Sequence, residues 1–283
     1  MFVFCVAVDI PQRFNQLPVS GHVCGIAQLR DEIFVCFDSS PSIAVFSFQG
    51  RQNFKKREEI RFHELTTPPQ DIAASDEFQR LFVADPSAHC VWQLEWSSRL
   101  SWKPKGKAVS DVTPISLSMN ARRLLVVEAQ RLAIFEVDKK KLKSISLPKN
   151  LQAEHALETP CETFVVCGRE AEKPSIVEVN RRGGVVRMCN WHGLNFPCYL
   201  SAFSTDEADL LVVDGKAQSV LLLNSGLEVV RVFLDACHNG VLQPSRIVKY
   251  GYFLVGHVTS SEDCLGVVSL YGPHRSALQA LPD

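Results

Sequence analysis

Net charge is nearly absent from this chain: 30 Lys and Arg stand against 31 Asp and Glu, leaving −1 over 283 residues. No global field is available to attract nucleic acid or an anionic membrane, so only local patches could do so. Long apolar runs are missing as well. No stretch reaches the roughly 18 uninterrupted apolar residues of a membrane helix, and no membrane partner is expected. Residues 1–8 are apolar, but they have no basic start and run into Asp9 and Pro11 without a small-residue cleavage site. They read as a strand of the fold rather than a targeting signal. Amphipathic stretches of helical period are absent throughout, which points to an all-β chain.

The usual catalytic signatures are also missing. No Gly-x-Ser-x-Gly occurs, and Arg181-Arg182-Gly183-Gly184 reads as a hairpin turn rather than a phosphate loop. The eight histidines are scattered and expected at the surface or in loops. Ten cysteines show no paired framework. Cys36, Cys90, Cys167, Cys189 and Cys264 fall in or beside strand-like runs, where a free thiol packs as a small apolar group. That usage suits a reducing, cytoplasmic setting. Cys189, His192 and Cys198 are soft ligands without a second close pair, so no metal and no cofactor is expected.

What is present is a repeat. Six apolar runs, each closing on a small or acidic residue, recur along the whole chain, for example Leu81-Phe82-Val83-Ala84-Asp85 and Leu210-Leu211-Val212-Val213-Asp214. Each is preceded by a short strand and followed, after a polar turn, by another. Aligning Ile26, Ile72, Leu117, Ala156, Leu200 and Ile247 in the preceding strands places one copy every 39 to 47 residues. Such a unit cannot bury its own faces and must stack on its neighbours. Its second strands are continuously apolar, as for a strand covered on both sides. Its fourth strands are the most polar, which suits an outer edge. Strands in fours at this period predict a single six-bladed β-propeller with units near 22–68, 69–113, 114–152, 153–196, 197–243 and 244–272. The last unit shows three strands only, so residues 1–8 are expected to supply its fourth and close the ring.

The strand-turn-strand units at residues 81–94 and 210–224 resemble NHL repeats, and the chain from about 22 to 272 is similar to a group of NHL-like six-bladed propellers. The resemblance implies that fold and a recruiting role toward protein or RNA. No RING-like run of paired cysteines accompanies it, so ubiquitin-ligase activity is not implied.

The acids that close the second strands, Asp38, Asp85, Glu128 and Asp214, could form a carboxylate ring, but the expected role is to accept backbone N–H groups in their own turns. The function expected is a non-enzymatic scaffold, monomeric, binding a protein partner through loops on one face. Trp191, His192 and Phe196 are the candidate docking residues. Two alternatives are carried. Lys55, Lys56, Arg57, Lys105 and Lys107 could form a basic rim for single-stranded RNA, with Trp96 and Trp102 stacking on bases. A metal-dependent propeller hydrolase would require carboxylates and histidines to converge in the central channel.

Overall fold

The computed structural model describes residues 11–19, 21–49, 53–97, 101–139, 141–203, 209–250, 252–258 and 266–272. After β1 (Gln12–Val19) come five four-stranded antiparallel sheets in chain order. Blade 1 holds β2 (Val23–Leu29), β3 (Glu32–Phe37), β4 (Ser40–Gln49) and β5 (Asn53–Ile60). Blade 2 holds β6 (Asp71–Ser75), β7 (Arg80–Asp85), β8 (Cys90–Ser97) and β9 (Ser101–Ser110). Blade 3 holds β10 (Ser116–Asn120), β11 (Arg123–Glu128), β12 (Arg131–Glu136) and β13 (Lys141–Ser146). Blade 4 holds β14 (Leu151–Glu158), β15 (Phe164–Glu170), β16 (Lys173–Val179) and β17 (Val185–Met188). Blade 5 holds β18 (Pro197–Ala202), β19 (Leu210–Asp214), β20 (Ser219–Leu223) and β21 (Val229–Asp235), followed by the single helical turn α1 (Ala236–Asn239). Blade 6 is β22 (Leu242–Tyr250), β23 (Tyr252–Val258) and β24 (Gly266–Gly272), completed by β1 in the order β1-β24-β23-β22.

The ring is therefore a six-bladed β-propeller closed by the start of the chain, as expected, but by a different segment. Gln12 pairs with Gly272 and Val19 with Gly266. The expected closing strand, residues 2–8, lies outside the described residues. An outer strand need not be continuously apolar, so searching for the most apolar segment pointed ten residues too early.

The core is six wedges, one at each seam between blades. On β7, Leu81 and Val83 join Phe34, Val45 and Ile72 at the blade 1–2 seam, whereas Phe82 and Ala84 join Leu117, Leu124 and Val126 at the blade 2–3 seam. Successive side chains of a strand point to opposite faces, and here both faces are covered. That is why the second strands carry no polar alternation. Each fully buried Leu or Phe stabilises the fold by about 1.5–3 kcal/mol relative to its exposed state.

The six residues aligned in the sequence occupy one register of the ring. Ile26, Ile72, Leu117, Ala156, Leu200 and Ile247 pair with Val35, Val83, Val126, Val166, Val212 and Val255, a valine opposite each.

Candidate functional site

One residue before that register stand Gly25, Asp71, Ser116, His155, Tyr199 and Arg246, each on the first strand of its blade. Strand alternation turns this column away from the residues that follow it, and four of the six are strongly polar. Asp71 and His155 are fully buried, and Tyr199 and Ser116 nearly so. Gly25 makes room: a Cβ there would meet the backbone N of Ile72 at 2.8 Å and Asp71 Oδ1 at 3.0 Å.

Side chains from the first strands, this column prominent among them, bridge every seam around the axis. Cys24 Sγ donates to the Pro69 carbonyl, 2.9 Å. Asp71 accepts from the N–H of Leu117 at 2.9 Å and from that of Ile72 at 2.9 Å. Ser116 and Ser118 donate to the carbonyls of Glu154 and Ala156, both at 2.8 Å. His155 Nε2 donates to the Leu117 carbonyl while Nδ1 accepts the Leu200 N–H, each at 3.3 Å. Cys198 Sγ reaches the Pro244 carbonyl at 3.9 Å, and Ser245 donates to the Val23 carbonyl at 2.7 Å.

Arg246 reaches past blade 1 to blade 2. Its Nε lies 3.6 Å from Asp71 Oδ1, its guanidinium carbon sits 4.9 Å from the Tyr199 ring centroid, and Nη1 donates to the Ser245 carbonyl at 2.8 Å. Burial pushes Asp71 up to about 6 against the pull of Arg246 and the two N–H donors, so the pair is ionised at neutral pH. Burial lowers Arg246, but Asp71 and Tyr199 outweigh it and hold the guanidinium above its ordinary range. Burial, reinforced by Arg246, takes His155 down to about 3, and it is neutral. Both its ring nitrogens are occupied. Burial raises Cys24 to about 12 and Cys198 to about 11, so neither thiol is set up as a nucleophile.

A cavity opens on either side of this contact. Where the first strands begin, about 560 Å³ is bounded by Arg246, Glu154, Phe196, Lys216, Gln218 and Gln243, among others. Where they end, about 480 Å³ is bounded chiefly by apolar groups such as Ile26, Leu157 and Ile247, with Lys249 at its edge. Among the described residues no cluster of His, Cys, Asp and Glu is arranged to hold a metal ion.

The residues anticipated for docking divide in two. Phe196 lines the polar cavity, with Lys216 Nζ 5.3 Å from its ring centroid. Trp191 and His192 are exposed on the loop before it, and the Trp191 ring lies over Gly193. The loop is tied down by Asp214, whose carboxylate accepts the N–H groups of Asn195, Phe196 and Ala217 at 2.8, 2.8 and 3.0 Å. Asp85 similarly accepts from Ala88 N–H at 3.0 Å and Trp92 Nε1 at 2.9 Å. Asp38 accepts the N–H of His22, and Glu128 that of Thr113. Asp85 and Asp214 hold their own turns, as the sequence led us to expect, whereas Asp38 and Glu128 instead reach the segment that precedes the first strand of their blade.

Lys55, Lys56 and Arg57 lie on β5, and Lys105 and Lys107 on β9, both outer strands. Lys56 pairs with Glu59 at 2.7 Å, Lys105 with Glu95 at 2.6 Å, and Arg57 with Glu32 and Glu58. Arg57 covers Trp96 and Lys107 covers Trp92. Trp102 is buried, edge-on to Phe34, with Nε1 donating to Glu32. The stacking role anticipated for Trp102 is therefore not available to it. The histidine expectation also needs correction, since His155 and His257 are buried. Of the cysteines expected in the core, Cys36, Cys90 and Cys167 are fully buried and Cys189 partly so, while Cys264 lies outside the described residues.

No family model matches the chain, and no curated protein matches its sequence. Among solved structures it is similar to the one titled "Crystal structure of WD40 beta propeller domain of Doa1", with a TM-score of 0.63 and 10% identity over 94% of this chain and 98% of that one. A likeness at that identity shows the propeller fold and nothing finer. No helix among the described residues is long and apolar enough to cross a membrane.

Proposed function

We propose that this propeller is a non-enzymatic binding scaffold of NHL-like type that docks a protein partner on the sector formed by blades 4 and 5. The observation that carries this reading is where the apolar surface lies. Seven large hydrophobic side chains are exposed among the described residues, and six of them, Val185, Val186, Met188, Trp191, Val230 and Val232, fall on β17, β21 and the loop between β17 and β18. The outer strands of blades 1 and 2 are instead guarded by Lys55, Lys56, Lys103, Lys105 and Lys107, the usual device against edge pairing. The outer strands of blades 4 and 5 carry one arginine each, Arg187 and Arg231, between exposed apolar residues. An apolar edge so thinly guarded marks an interaction surface whose chemistry calls for a partner presenting apolar side chains. A rigid ring holds such a surface without ordering cost on binding.

The test is affinity purification from cells with the wild-type chain and with a Val186→Ser, Trp191→Ala, Val230→Ser triple variant of unchanged stability. Loss of the co-purifying proteins in the variant supports the reading. Retention of the same set, or sedimentation showing that the sector mediates a dimer of this chain, overturns it. RNA binding through the basic rim is the weaker reading, since several of its cations are already paired with carboxylates. A gel shift at low ionic strength decides it, because phosphate contacts are strongest there.

A further inference from the structure

We infer that the cavity floored by Arg246 is a separate recognition site for a carboxylate carried by an extended peptide. The inference does not rest on docking at blades 4 and 5.

Arg246 is the only residue of the axial column that lines this cavity, and its side chain is 12% exposed. A guanidinium offers five N–H donors in a planar fork matched to a carboxylate. Two hydrogen bonds are made here, to the Ser245 carbonyl at 2.8 Å and, weakly, to the Gln70 carbonyl at 3.5 Å. The buried Nε has no hydrogen-bond partner, standing 3.6 Å from Asp71 Oδ1. Asp71 accepts one N–H on each oxygen, from Ile72 and from Leu117, and meets the fork only through the Nε at 3.6 Å. Asp71 answers the charge from below, and the guanidinium still has N–H donors to spare beside the void, which a second anion can fill.

The balance of charge chooses the anion. Lys216 lines the cavity as a second cation, and Glu154 lines it as a carboxylate, 3.9 Å from Arg169. Arg169 answers Glu154 as Arg246 answers Asp71, which leaves Lys216 as one unanswered cation at the cavity, so a single negative charge restores the balance while a phosphate dianion exceeds it. Phe196, Pro244 and Ile115 supply apolar walls, and Gln70, Gln218 and Gln243 carry amides that both donate and accept, as a peptide backbone requires. At about 560 Å³ the cavity is the size of a small-ligand pocket and holds an acidic side chain or chain terminus with its flanking backbone.

The experiment reads Arg246 directly. In protein labelled with ¹⁵N-arginine, its Nε–Hε resonance is assigned by its loss in Arg246→Lys, or, if that variant does not fold, by its broadening in Lys216→Cys carrying a spin label. The probes are N-acetylglutamate α-amide for a side-chain carboxylate, N-acetylalanine for a terminal carboxylate, N-acetylglutamine amide as the neutral counterpart, and inorganic phosphate. We expect a saturable shift with at least one of the two carboxylates, and the stronger one identifies the source. Lys216→Gln should weaken that binding about threefold, the size of one exposed charge contact. Trp191→Ala should leave it unchanged. No shift at tens of millimolar of either carboxylate, an equal shift with the neutral amide, or tighter saturation by phosphate would each overturn the inference.

Discussion

Arg246 on blade 6 and Asp71 on blade 2 meet 3.6 Å apart although blade 1 stands between their blades in the ring. Their contact bridges past blade 1, where Gly25 carries no side chain and lies against Asp71, rather than along a seam between neighbours. Removing one partner of a buried ion pair leaves the other charge uncompensated, which typically costs about 3–5 kcal/mol. Asp71→Ala is therefore expected to lower the urea unfolding free energy by about that much. An Asp71→Ala, Arg246→Met double variant should regain most of it, because an apolar pair leaves no uncompensated charge. Equal losses in single and double variants would show that the pair carries no such coupling.

His155 gives a pH dependence of definite sign. Its folded value of about 3 lies below its ordinary value of 6.5, because burial favours the neutral ring. The stability it contributes is present above pH 6.5 and drains away as pH falls toward 3, at about 1.4 kcal/mol per pH unit inside that window. Asp71 runs the other way. Its value is raised from 3.8 to about 6, so its contribution is fully present below 3.8 and is lost as pH rises through 6. Between pH 6 and 4 the two slopes oppose each other. In His155→Gln the first slope disappears, and the gap between wild type and variant should close steadily as pH is lowered from 6.5. Urea midpoints measured across that range check this, and a constant gap would contradict it.

Asp214 holds both its own turn and the loop that carries Trp191 and Phe196. Asp214→Ala releases three backbone donors and should cost about 1–3 kcal/mol. It should also expose residues 189–196 to limited proteolysis. Asp38→Ala, which frees only the His22 N–H among its described contacts, should cost less and leave that loop resistant.

The closing strand makes a fourth expectation. Deleting residues 1–19 leaves β24 as an unpaired edge, a template for association with other chains. The truncated protein should unfold at lower denaturant and associate with rising concentration in analytical sedimentation. A monomer of unchanged stability would mean that β1 does not seal the ring.

Most of the fold was legible because each blade repeats one pattern of burial. The register shared by Ile26, Ile72, Leu117, Ala156, Leu200 and Ile247 can be read from spacing alone, since each position is buried for the same reason. The axis was not legible in the same way. Asp71, His155, Tyr199 and Arg246 share a position in their units but no chemistry, so a search for similarity passes over them. The available signal was the column one residue before the aligned one, where six copies carry six different residues. What no repeat could disclose is that Arg246 reaches past blade 1 to Asp71, because that pairing depends on curvature around the ring. The closing strand was misplaced for a simpler reason: apolarity marks inner strands, and β1 is an outer one.

The seams are not joined in six separate ways. Cys24, Cys198 and Ser245 occupy one position of their blades, and each reaches the carbonyl at the matching place in the next blade, that of Pro69, Pro244 or Val23. Asp71 and His155 are the exceptions, since each accepts a backbone N–H from the following blade, that of Leu117 or Leu200. A blade moved between stations that share a bridge would find a fitting carbonyl, whereas one moved to the border of blades 2 and 3 or of blades 4 and 5 would leave an amide unanswered.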